Sequence, residues 1–71
     1  MSRPPGAVFH FEQALGHLSS ALGELQMWQA RAPGDTRFDA QMSERVERCR
    51  AAIEAAFDEL GEVYATVLPP V

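Results

Sequence analysis

Lysine is absent from this 71-residue chain: all six basic side chains are arginine, set against ten acids and two histidines. The bias fits GC-rich coding and carries no mechanism. Cysteine is nearly absent too. The single Cys49 excludes a disulfide framework and any four-cysteine zinc site. No apolar run approaches the roughly 18 residues of a membrane span. Positive charge is in deficit. A formal net charge of -4 and a pI near 4.9 argue against binding a nucleic-acid backbone, which needs a field of the opposite sign. The N-terminal apolar stretch is interrupted by His10, Glu12 and Gln13, so the core of a signal peptide is not expected. With a lone thiol, this suits a cytoplasmic protein.

What is present is helical periodicity, divided by prolines and glycines. Pro4-Pro5-Gly6, Ala32-Pro33-Gly34-Asp35 and Pro69-Pro70 mark the start, the middle and the end. The first stretch carries Val8, Phe11, Leu15, Leu18, Leu22 and Leu25 at spacings of 3, 4, 3, 4 and 3. Apolar residues thus return to one face about every 3.5 positions, as in a heptad seam. Ala7, Ala14, Ala21 and Trp28 run in a column beside it. Gly16 and Gly23 lie inside the same helix; close approach of another backbone and simple tolerance both account for them.

The second stretch reads Met42, Val46, Cys49, Ile53, Ala56, Leu60, Val63 and Val67 at alternating spacings of 4 and 3. Asp35 or Thr36 can cap its start, with Asp39 placed three after Thr36. Phe57 and Tyr64, one column over, broaden the apolar face toward the C-terminal end. Glu44 with Arg48 and Glu47 with Arg50 are spaced for ion pairs along the helix. Arg45, Arg48 and Arg50 lie in the first half, whereas Glu54, Asp58, Glu59 and Glu62 crowd the second. A charge run of this kind is ordinarily a solvated face; the other reading is a partner presenting basic groups there.

These patterns predict an all-α fold over residues 1–71, a single antiparallel two-helix hairpin. Helix one is expected near 8–30, the turn near 31–35 and helix two near 36–67. At ~1.5 Å per residue the helices would measure about 35 and 48 Å. The longer one would project, leaving only residues 1–7 to cover Val63, Tyr64 and Val67. Two amphipathic helices bury only one side of each apolar stripe, so the hairpin is expected to be completed by homodimerisation or by a heteromeric partner. The wide C-terminal face of helix two, with Phe57, Leu60, Val63, Tyr64 and Val67, is the expected partner contact.

Catalytic, cofactor and metal sites are not expected. His10 and His17 are two turns apart, about 10 Å, too far to share a metal. Cys49 falls on the apolar seam, where a thiol behaves as a small hydrophobe. The four acids of the second helix point round it rather than to one centre. Trp28 and Phe38 flank the turn and are expected to pack on each other. The pattern offers no phosphate loop and no nucleophile elbow.

The segment Leu18-Ser19-Ser20-Ala21-Leu22-Gly23-Glu24-Leu25, then Ala30-Arg31-Ala32, a short break, Phe38, and the alanine-rich stretch from Glu47 to Leu60 resembles the YscE-type co-chaperones of bacterial type III secretion. The resemblance covers roughly residues 11–64. It implies a small non-enzymatic hairpin that joins a tetratricopeptide-like chaperone, the two together holding a needle subunit unpolymerised in the cytoplasm. Trp28 and the Pro33-Gly34 break depart from that pattern. Phe11-Glu12-Gln13-Ala14-Leu15 and Gly34-Asp35 more faintly resemble the small subunit of exonuclease VII, which would make the chain an accessory subunit of an enzyme. A self-associating four-helix-bundle protein is the third reading, similar in outline to WxG-motif secretion substrates, although Gln29 follows Trp28 where that motif needs glycine.

Overall fold

A computed structural model describes residues 6–68. It consists of α1 (Ala7–Arg31), a single 3-10 turn (Ala32–Gly34) and α2 (Ala40–Val67), with α1 and α2 packed antiparallel. Pro4-Pro5 and Pro69-Pro70 lie outside the described residues.

Backbone chemistry sets the ends. Helix α1 follows an extended Gly6, whose carbonyl accepts from His10 N–H at 3.2 Å. It closes on Arg31, a cation favourably placed at the negative end of the helix dipole. Pro33 is the second residue of the 3-10 turn, within its first turn, where a missing N–H costs least. Leu68 ends α2 in the extended conformation (φ -74, ψ 140) that a following proline favours.

Helix α2 starts at Ala40, four residues later than the spacing predicts, and its cap is Asp39 rather than Asp35 or Thr36. The reason is local. The Asp35 carboxylate is already engaged by Arg37, accepting from its backbone N–H at 3.0 Å and from its guanidinium at 3.0 and 2.6 Å. These Arg37 side-chain and backbone bonds hold the Asp35 carboxyl down at about 2. Asp39 is left to accept the Met42 N–H at 2.7 Å. The later start also evens the hairpin: 25 and 28 residues give helices of about 38 and 42 Å. The long overhang expected of helix two is therefore much reduced.

Two aromatic pairs fix the register. At the turn, Trp28 and Phe38 meet edge to face, centroids 5.5 Å apart. At the open end Phe11 stacks on Tyr64 at 6.0 Å, and the Tyr64 hydroxyl donates to the Glu12 carboxylate. Stepping evenly from Phe11–Tyr64 puts Leu15 level with Leu60, Leu18 with Phe57, Leu22 with Ile53, Leu25 with Arg50 and Trp28 with Glu47. Every one of these residues is half-buried. Tyr64 is thus covered by α1 itself, through Phe11 and Glu12; residues 1–5, expected to share in that cover, lie outside the described residues.

This register corrects the expected seam of α2. Val46, Ile53 and Leu60 are half-buried as predicted, but Met42, Cys49, Ala56, Val63 and Val67 are exposed. Their place against α1 is taken by the column one position on: Arg50, Phe57 and Tyr64. Burying two aromatic rings removes more apolar area from water than burying Ala56 and Val63. Helix α2 turns accordingly. The same rotation carries Glu47 and Arg50 toward α1 near the turn. There Arg50, its side chain 24% exposed, lays its stem over the seam and bonds Glu47 at 3.1 Å and Glu54 at 2.7 Å. Both carboxylates, Glu47 first, raise the guanidinium pKa above its ordinary value.

The hairpin encloses little. Ala32, 5% exposed, is the one buried apolar residue among those described. The radius of gyration is 16.5 Å, against about 11 Å for a compact domain of this length.

Candidate interaction surfaces

In an antiparallel helix pair, the residues immediately preceding the paired columns of the two helices flank the same side of the seam. Here that side carries Ala7, Ala14 and Ala21 from α1 and Met42, Cys49, Ala56 and Val63 from α2. The opposite side carries Glu12, Ser19 and Gln26 with Glu47, Glu54 and Gly61. The hairpin as a whole is therefore amphipathic, with one apolar and one polar flank. Met42 (42% exposed) and Val63 (43%) stand on the apolar flank, where a shallow hollow of about 320 Å³ opens between Met42, Arg45, Val46 and Cys49.

Outward from this flank, α2 presents its charges in order: Arg45 and Arg48 toward the turn, Ala52 and Ala55 in the middle, Glu59 and Glu62 toward the open end. Among the described residues Arg45, Glu59 and Glu62 make no ion pair. Arg48 reaches only its neighbour Glu44, at 3.5 Å with both side chains largely exposed. Such a pair holds its partners weakly.

A second surface lies at the turn. Trp28, Ala32, Pro33, Phe38 and Ala40 line an apolar hollow of about 560 Å³ with Glu44 and Glu47 at its edge. The indole Nε1 of Trp28 is shielded from water and has no acceptor. Sequence spacing placed Trp28 on Phe38; the hollow they leave, and the orphaned donor, were not legible in it.

Of the five residues expected to bind a partner, the structure brings Phe57, Leu60 and Tyr64 into the seam, half-buried. The Tyr64 hydroxyl pKa is raised, mainly by its bond to Glu12. Val63 and Val67 remain exposed, at 43% and 49%. Cys49, expected in the core, is exposed on the apolar flank, because the rotation of α2 turns its column outward. His10 and His17 are both exposed. Among the described residues, no three of His, Cys, Asp and Glu converge as a metal site, and no helix is long and apolar enough to cross a membrane.

Comparison of the chain with family models, with curated proteins and with solved structures finds no match. The physical character of these surfaces is thus the ground for a functional reading.

Proposed function

We propose that this chain is a non-enzymatic binding subunit, a helical hairpin that works by packing its apolar flank on helices of another chain. One observation carries the reading. Among the described residues a single alanine is buried, while Met42, Cys49, Ala56 and Val63 line up exposed along α2. Aligned apolar residues on one side of an elongated hairpin form a helix-packing surface. The most specific form of this reading is the one the family resemblance implies: a cytoplasmic co-chaperone of type III secretion. Its partner would be a tetratricopeptide-like chaperone, whose stacked helices offer a complementary apolar groove, and the pair would keep a needle subunit unpolymerised.

Within this reading the contact shifts from the surface expected of the sequence. Phe57, Leu60 and Tyr64 hold the hairpin together, and Val63 joins Met42, Cys49 and Ala56 on the docking side. The test is co-expression of the chain with the helical chaperone and needle subunit of the same secretion locus, followed by purification on a tag carried by the chaperone. A stable complex, lost in Met42→Arg/Val63→Arg while the isolated hairpin keeps its helicity, supports the proposal. Failure of the wild-type chain to co-purify sinks the co-chaperone form of it.

A further inference from the structure

We infer that the apolar flank is self-complementary and that a second copy of this chain occupies it, the two α2 helices lying antiparallel in a four-helix bundle. The inference rests on the reading of that flank as a docking surface and names its occupant in the chain free of a chaperone, which would have to displace the second copy to bind there.

The charge order along α2 carries the argument. Let a two-fold axis pass between Ala52 and Ala55, perpendicular to the helix. Ala52 then lies level with Ala55 of the second copy, Arg48 with its Glu59 and Arg45 with its Glu62. Two-fold symmetry repeats each pair, so four arginines face four glutamates. The same operation sets Met42 near Val63 of the second copy and Cys49 near its Ala56. Large residues thus meet at the ends and small ones at the centre, where Ala52, Ala55 and Ala56 let the helices approach closely. A parallel arrangement would oppose like charges at both ends. Isologous dimers require this kind of patch, one whose pattern reverses about its own midpoint.

The exposed area agrees. The chain exposes 5897 Å², whereas a compact monomer of 7.8 kDa exposes about 4,400 Å². The excess exceeds the ~800 Å² that each partner hides in a standard interface. Within one chain, Arg45, Glu59 and Glu62 have no opposite charge to pair with among the described residues, whereas in the dimer each has one.

The test uses the full chain and two charge-reversal variants, Arg45→Glu/Arg48→Glu and Glu59→Arg/Glu62→Arg, with mass measured in solution and helicity by circular dichroism. The wild type should have twice its 7.8 kDa chain mass. Each variant alone opposes like charges and should self-associate at least tenfold more weakly, about 1.4 kcal/mol. Mixed in equal amounts, the two variants regain every pair and should form a one-to-one heterodimer. That rescue separates lost pairing from lost folding. A helical, monomeric wild type overturns the second copy and leaves a different helical partner standing. A dimer indifferent to both reversals, or a mixture that does not pair, overturns the antiparallel α2 interface. A dimer that behaves as expected but ignores the secretion chaperone supports the inference and defeats the co-chaperone reading alone.

Discussion

Phe11 and Tyr64 stack with their ring planes 11° apart, joining the first turns of α1 to the last turns of α2. Beside them the Tyr64 hydroxyl donates to Glu12 on the polar flank. One residue therefore both closes the open end of the hairpin and sets which column of α2 meets α1. Because Tyr64, Phe57 and Arg50 belong to one column, closure at Tyr64 and the outward exposure of Val63, Ala56 and Cys49 are one event.

Tyr64→Ala is expected to lower the thermal midpoint by several degrees, and Tyr64→Phe, which keeps the ring, by less. The pH dependence follows from the direction of the shift. The folded-state pKa of Tyr64 is raised above 10.0, so the fold favours the protonated phenol. That contribution is fully present below pH 10 and is lost as pH rises through the folded-state value. An alkaline melting series on wild type and Tyr64→Phe checks this. A variant whose stability declines above pH 10 as steeply as that of the wild type would show that Tyr64 is not the group responsible.

The cap of α2 yields a second prediction. Asp39 is the only described residue whose side chain caps a helix in this chain. Asp39→Ala should cost about 1 kcal/mol, within the usual range for caps, and Asp39→Ser much less. Urea denaturation followed at a helical signal measures both. Equal losses would place the stabilisation in the charge of Asp39 rather than in its bond to the Met42 N–H.

Much of this fold is legible in the sequence because it depends on short spacings. The two helices, the central break, the Trp28–Phe38 contact and the pairs Glu44–Arg48 and Glu47–Arg50 all follow from residues three, four or ten apart. The cap was not legible, since Asp35, Thr36 and Asp39 all suit the role. What excludes Asp35 is Arg37, two residues on, which takes up its carboxylate. The facing column of α2 was ambiguous for a different reason. Met42–Cys49–Ala56–Val63 is the more regular stripe, but the larger rings of Phe57 and Tyr64 decide the contact. Regularity indicated a packing surface without saying which partner packs there.

The turn offers a built-in reporter, because Trp28 is the single tryptophan. Phe38→Ala removes its edge-to-face partner and widens the adjoining hollow, at a cost of about 1–3 kcal/mol. Trp28 emission should move to longer wavelength as water reaches the ring. Trp28→Phe deletes an N–H that has no acceptor, so it should destabilise less than Phe38→Ala. The reverse order, measured by denaturation, would mean that the indole N–H finds a partner in solution.

The glycines of α1 separate the hairpin's own needs from those of a partner. A methyl group built on Gly16 or Gly23 meets nothing within 4 Å, and neither position has a positive φ. In the isolated hairpin, Gly16→Ala and Gly23→Ala should therefore each stabilise by about 0.5–1 kcal/mol, the ordinary gain of alanine inside a helix. Both glycines lie away from the column of Ala7, Ala14 and Ala21 that borders the apolar flank. The double variant should accordingly melt higher and self-associate as the wild type does. If it melts higher but no longer associates, another backbone approaches α1 on its glycine side, and the second copy does not sit along α2.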